Sequence, residues 1–154
     1  MAVYNPYNYQ KPRNILRPVE LKSSETEIQK KHVNKEKVDL YLEQKIMQAK
    51  PEELTFLLYD GLVKFIKKAI IALEDNNYQE VNYNSQRSQA ILDELRSTLN
   101  MEIPLSHSLD ALYEYIAHKL IMGNMEKNVD LFNEALEIAE DFKTTWREAF
   151  DIKF

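Results

Sequence analysis

Cysteine is missing from all 154 residues, which removes disulfide frameworks and thiolate metal sites from consideration. Glycine is nearly missing too, at two residues, and proline occurs five times. A turn-rich β-sandwich or a glycine-rich phosphate loop needs more of both. No apolar run is long enough to span a bilayer, so membrane insertion is not expected. The opening residues are polar and tyrosine-rich, without the basic-then-apolar order of a signal peptide, which points to a cytoplasmic protein. Positive charge is also short. The net charge is −5, and no dense Lys/Arg stripe is available to displace counterions from a nucleic acid. Lys64, Lys67 and Lys68 read as a solvated helix face.

What is present suits one helical domain. Apolar residues make up 44% and charged residues 29%, the balance of a globular chain with a core of useful size. The sequence divides into a polar arm, residues 1–36, and a helical body, residues 37–154. Pro6, Pro12 and Pro18 punctuate the arm. Ser24 and Glu27 read as a capping box, followed by a weak helix with Ile28 and Val33 on a thin apolar stripe. The arm is expected to be flexible or loosely docked.

The body opens with a short amphipathic segment that includes Val38, Leu40, Tyr41, Leu42, Ile46 and Met47. Pro51 restarts the chain as a first-turn proline, and Glu52 and Glu53 suit the positive end of a helix dipole. This helix runs to about Glu74 and is apolar nearly all round, as expected of a helix buried among several neighbours or lining a groove. Asn77 with Glu80 signals the next start, for a helix to about Asn100 with a notably small and polar first half. After Pro104, a helix over about 106–122 is expected, with Ser106 or Ser108 as cap and Gly123-Asn124 as its end. A last helix starts near Asn128 and carries Phe132, Ala135, Leu136, Ala139, Phe142 and Trp146 at three-and-four spacing. Four such helices with short connections predict an all-α, antiparallel up-and-down four-helix bundle, with an additional short N-terminal helix and an extended N-terminal arm.

Catalytic chemistry finds little support. The histidines are His32, His107 and His118, and none forms the Glu-x-x-His pairs of a bundle di-iron site. Glu114 and His118 share a helix face but cannot close a site alone. Ser106, His107 and Asp110 have the residue types of a hydrolytic triad, yet such triads assemble from separate elements, and helix capping is the simpler role. No metal, cofactor or enzymatic activity is expected. Gly61, in the middle of the most apolar helix, costs about 0.5–1 kcal/mol relative to alanine. Close helix packing is its simplest reason, and a partner's backbone lying against it is the alternative.

Several motifs stand in a specific order and spacing along the body. The first stretch comprises Tyr41, Ile46, Ala49-Lys50-Pro51-Glu52-Glu53-Leu54, Leu58-Tyr59-Asp60-Gly61 and Lys64-Phe65-Ile66. Further on come Arg87, Gln89, Ile91-Leu92, Glu94-Leu95 and Thr98-Leu99, then Leu112-Tyr113-Glu114-Tyr115-Ile116 and Trp146-Arg147-Glu148. In that order and spacing they resemble the FliS family of flagellin-specific export chaperones, over roughly residues 37–150. The resemblance implies a helical bundle that binds the disordered C-terminal segment of flagellin, prevents early polymerisation, and delivers the client to components of the flagellar type III export gate. By this resemblance Tyr41, Leu42 and Ile46 belong to the client groove or its cover. Leu57, Leu58, Ile91, Leu95 and Tyr113 are divided between groove and core, and Asp60, Arg87 and Gln89 either orient the client or bond between helices. A homodimer is compatible with the sequence. So is a different reading, a helical adaptor or regulator that binds another amphipathic helix.

Three departures from the family stand out. Lys50 takes the place of a capping serine. Ser85 takes the place of an apolar residue. The family's Asn-Pro-Tyr, here Asn5-Pro6-Tyr7, is separated from the aligned Tyr41 by an insertion. This placement suggests an arm that folds over the apolar groove until a client displaces it.

Overall fold

The computed structural model describes residues 5–7 and 28–153. Among them are the helices α1 (Ile28–Gln48), α2 (Pro51–Glu74), α3 (Tyr78–Ser97), α4 (Pro104–Glu126) and α5 (Val129–Ala149), and no sheet. The capping box at Ser24 lies outside the described residues. The weak helix from Ile28 and the segment after Lys37 form one continuous helix, α1, so the additional helix is longer than expected.

Helices α2 to α5 pack in a closed ring, each against the next and α5 back against α2. Cross-helix bonds fix the antiparallel sense. Arg96 near the end of α3 pairs with Asp110 near the start of α4 at 2.8 Å. The Trp146 indole near the end of α5 donates to the Glu52 carbonyl at the start of α2, at 2.8 Å. Leu62, Ile66, Leu92, Leu95, Ile116, Leu120 and Phe132 are completely buried between the four helices, and each such side chain contributes about 1.5–3 kcal/mol of apolar transfer, offset by chain entropy.

Local chemistry sets the helix ends. Glu53 accepts a hydrogen bond from the Lys50 backbone N–H at 3.0 Å, so the start of α2 is capped although Lys50 itself cannot accept. Asn76 takes a left-handed conformation, φ 54°, at the end of α2, and the Asn77 side chain accepts from the Glu80 N–H at 3.4 Å to cap α3. Pro104 occupies the first turn of α4, with Ile103 at the cap position and no side-chain cap. Neither Ser106 nor Ser108 caps this helix as expected, because α4 begins two residues before Ser106 and buries that serine. Gly123 does not end α4 either. A Cβ there would stand 3.3 Å from Leu131 Cβ and 3.4 Å from the Asn128 carbonyl, so this glycine serves the close approach of α5. Lys127, φ 51°, supplies the left-handed turn instead, and the Asn128 side chain accepts from the Asp130 N–H to start α5.

The polar first half of α3 is absorbed by the core. Ser85 is fully buried and donates to the Leu120 carbonyl of α4 at 3.3 Å. Ser88 donates to the Asn84 carbonyl at 2.9 Å, and Asn84 to the Glu80 carbonyl at 2.8 Å. Small satisfied hydroxyls let α3 and α4 approach closely where a larger apolar side chain would hold them apart.

Residues 5–7 enter the bundle at the end where α2 and α4 begin and α3 and α5 finish. Pro6 and Tyr7 are buried. The Pro6 carbonyl accepts from the Asn100 N–H at 2.8 Å and from the Ser106 hydroxyl at 3.5 Å. Tyr7 forms an isolated antiparallel bridge with Leu99, and its ring meets Trp146 edge-on at 5.4 Å.

Candidate functional site

A groove of about 750 Å³ lies between α1 on one side and α2 with α3 on the other. Its position follows from how unequally α1 is built. From Lys37 to Gln48 no residue of α1 is fully buried, and Val38, Tyr41, Leu42 and Met47 keep large apolar surfaces in water. α1 therefore stands beside the ring of four helices without being incorporated into it. Leu42 and Ile46, four residues apart, share the face turned to the groove. Across from them, Leu57, Gly61, Phe65 and Ile71 of α2 form an apolar wall, and Tyr83, Asn84 and Arg87 of α3 close the third side.

Gly61 is one of the groove's lining residues. A Cβ at this position would stand 3.3 Å from Ile91 Cδ1, so its absence lets α3 pack closely. Gly61 thus serves the close helix packing expected of it, and it also lines the groove.

The rim is charged in both senses. Burial alone would push the Asp60 carboxyl up. The ammonium groups of Lys64 at 2.8 Å and Lys143 at 2.9 Å outweigh that cost and hold it below its ordinary value. Asp60 is thus an ionised post tying α2 to α5. The Phe65 ring carries Lys68 and Arg87 over its faces, each 5.4 Å from the centroid. Asp39, Asp75 and Glu80 add negative charge along the same opening.

The structure separates the sequence-named residues into two sets. Leu42, Ile46, Leu57, Asp60 and Arg87 converge on the groove. Tyr41 neighbours it on α1 and is 64% exposed. Leu58, Ile91, Leu95 and Tyr113 lie in the core. Gln89 donates to the Ser85 hydroxyl at 3.2 Å, a bond within α3. Sequence reading overlooked Phe65, Lys68, Ile71 and Tyr83 as groove residues. The surplus of apolar positions on α2 was the available signal, since a helix apolar all round has more such positions than one core face uses.

Tyr7 does not lie over this groove. Its partners are Tyr59, Tyr113 and Trp146 at the end of the bundle, and none of these lines the groove. The expected cover is therefore not made by Asn5-Pro6-Tyr7.

The profile of the family described as "Flagellar protein FliS" matches residues 33–153 of the chain. This chain belongs to the FliS family. Over 109 residues it is 35% identical to the flagellar secretion chaperone FliS of Bacillus subtilis (strain 168), covering 71% of this chain and 82% of that protein. The FliS of Campylobacter jejuni is 31% identical over 100 residues, 64% of this chain and 78% of the relative. That of Escherichia coli (strain K12) is 26% identical over 111 residues, 70% and 82% respectively. A solved structure described as "Crystal structure of flagellar chaperone from bacteria" has the same fold, with a TM-score of 0.62 and 21% identity over 77% of this chain and 98% of its own. FliS relatives are flagellar secretion chaperones, not enzymes. Among the described residues no helix is long and apolar enough to cross a membrane.

Proposed function

We propose that this FliS-family chain is a cytosolic export chaperone that holds the disordered C-terminal segment of flagellin, keeps it from polymerising, and passes it to the flagellar type III export apparatus. The observation that carries the reading is the open apolar groove between α1 and the α2–α3 face. An amphipathic segment that will later assemble through its apolar face needs an equivalent apolar surface while it waits. Helix-in-groove recognition supplies that surface through anchors at i, i+3, i+4 and i+7. Leu42, Ile46, Leu57 and Phe65 are the contact residues in this reading, with Tyr41 closing from the α1 side. Asp60, Lys64, Lys68 and Arg87 orient the client at the rim. A segment that folds as it binds loses part of the interaction energy to ordering, which keeps release within reach of the export machinery.

The test is calorimetric titration of the full chain with the C-terminal segment of flagellin from the same organism. A one-to-one complex with a negative heat-capacity change and new helicity in the peptide is expected. Absence of binding at micromolar concentrations overturns the reading and leaves the helical bundle without this client.

A further inference from the structure

The side of the bundle opposite the α2–α3 face carries a second unpartnered surface. On α4, Leu105, Leu112 and Tyr115 remain 54%, 42% and 46% exposed. Their spacing of seven and then three residues places them on one stripe. The ion pair between Lys119 and Glu134, 2.8 Å, locates that stripe on the flank of α4 that borders α5, because Lys119 follows Tyr115 by one helical turn.

The neighbouring flank of α5 is acidic. Asp130, Glu134, Glu137, Asp141 and Glu148 recur every three, four or seven residues and are all exposed, so they form one outward row about 27 Å long. Lys119 is engaged by Glu134 and Lys143 by Asp60, and Arg147 of α5 lies over the Phe56 ring at 4.9 Å. The apolar stripe, where the Lys119 ammonium lies over the Tyr115 ring and pairs with Glu134, is thus flanked on α5 by further exposed carboxylates.

We propose that this α4–α5 face docks a basic amphipathic helix of a protein partner. The partner's apolar side chains would rest on Leu105, Leu112 and Tyr115, and its lysines and arginines would face Glu137 and Asp141. The charge decides the occupant. A second copy of this chain set face to face brings the acidic row against itself, and an anionic lipid surface meets the same repulsion. The proposal does not depend on the α1–α2–α3 groove being the client site.

The probe is a fluorescent synthetic helix of about 18 residues, long enough to follow the acidic row, with leucine on one face and lysine on the other. It is titrated against the full chain by anisotropy. Glu137→Lys with Asp141→Lys is expected to weaken binding at least about tenfold, since two attractions become two repulsions. A control of equal net charge, Asp93→Lys with Glu102→Lys, places the changes on exposed residues of α3 and the α3–α4 connection and is expected to weaken it less than about threefold, through long-range charge alone. Leu112→Ser, checked for retained helicity by circular dichroism, is expected to cost about tenfold through the lost apolar anchor. Tyr115→Ser replaces it if helicity falls. Equal losses from both charge reversals reduce the effect to net charge and overturn the proposal, as does full binding by Leu112→Ser. Self-association of the chain that Leu112→Ser abolishes assigns the face to a second copy and also overturns it.

Discussion

The hydroxyl of Tyr7 stands 2.8 Å from that of Tyr59, although 52 residues separate them in sequence. Both also meet the hydroxyl of Tyr113. Three buried hydroxyls arranged in this way can close a ring in which each donates once and accepts once, so none is left unsatisfied. The rings around them add packing, with Tyr59 stacked on Phe142 at 5.5 Å and Tyr113 tilted against Phe142 at 5.2 Å. A residue near the chain's start therefore completes a polar centre inside the bundle.

Removing the Tyr7 hydroxyl breaks this ring. Tyr7→Phe keeps the edge-on contact with Trp146 and is expected to cost about 1–2 kcal/mol, the penalty of leaving buried hydroxyl groups short of a partner. Tyr7→Ala also empties the site of the ring and is expected to cost about 3–4 kcal/mol. Urea denaturation followed by Trp146 fluorescence measures both. Two variants as stable as the parent chain contradict the burial of Tyr7.

Alkaline pH tests the same centre. Burial pushes the Tyr59 and Tyr113 hydroxyls up from their ordinary value of 10.0. The folded values lie above the unfolded ones, so the unfolded chain releases these protons first. Their stabilising contribution is fully present below about pH 10 and is lost progressively as pH rises above it. The parent chain is expected to lose stability more steeply than Tyr59→Phe across that range. Parallel profiles contradict the assignment.

The groove wall supplied by α1 permits a cleaner separation of folding from binding. Ile46 is half-buried, and α1 stands outside the closed ring of helices. Ile46→Asp is expected to change unfolding free energy by less than about 1 kcal/mol, while weakening capture of the flagellin segment roughly tenfold or more by charging an apolar anchor position. Unchanged affinity in a folded Ile46→Asp variant removes Ile46 from the binding surface.

The bundle was legible in sequence because its signals are local. Pro51 with Glu52 and Glu53, the Asn77 cap, and the three-and-four spacing from Phe132 to Trp146 each specify an element without help from elsewhere. The misjudged ends of α4 have a tertiary cause. Gly123 reads as a terminator by propensity, but the packing of Leu131 and Phe132 needs a residue without a side chain inside the helix. Ser106 reads as a cap, but the Pro6 carbonyl claims its hydroxyl. The groove was half legible. Apolar periodicity names Leu42, Ile46 and Leu57 as inward, yet cannot distinguish them from Ile91 or Tyr113, because core and groove select the same residue types. The place of Tyr7 had no local signal, since Tyr59 and Tyr113 come together only when α2 and α4 pack.

Methyl-resolved NMR of the full chain, followed while the C-terminal flagellin segment is added, tests the groove as the client site. Shifts are expected to concentrate at the methyls of Leu42, Ile46, Leu57 and Ile71, which line the groove, with little change at the core residues Leu92 and Leu120 or at Leu105 and Leu112 on the α4–α5 face. Shifts centred on Leu105 and Leu112, with Leu42 and Ile46 unmoved, contradict the groove as client site and transfer the client to the other side of the bundle.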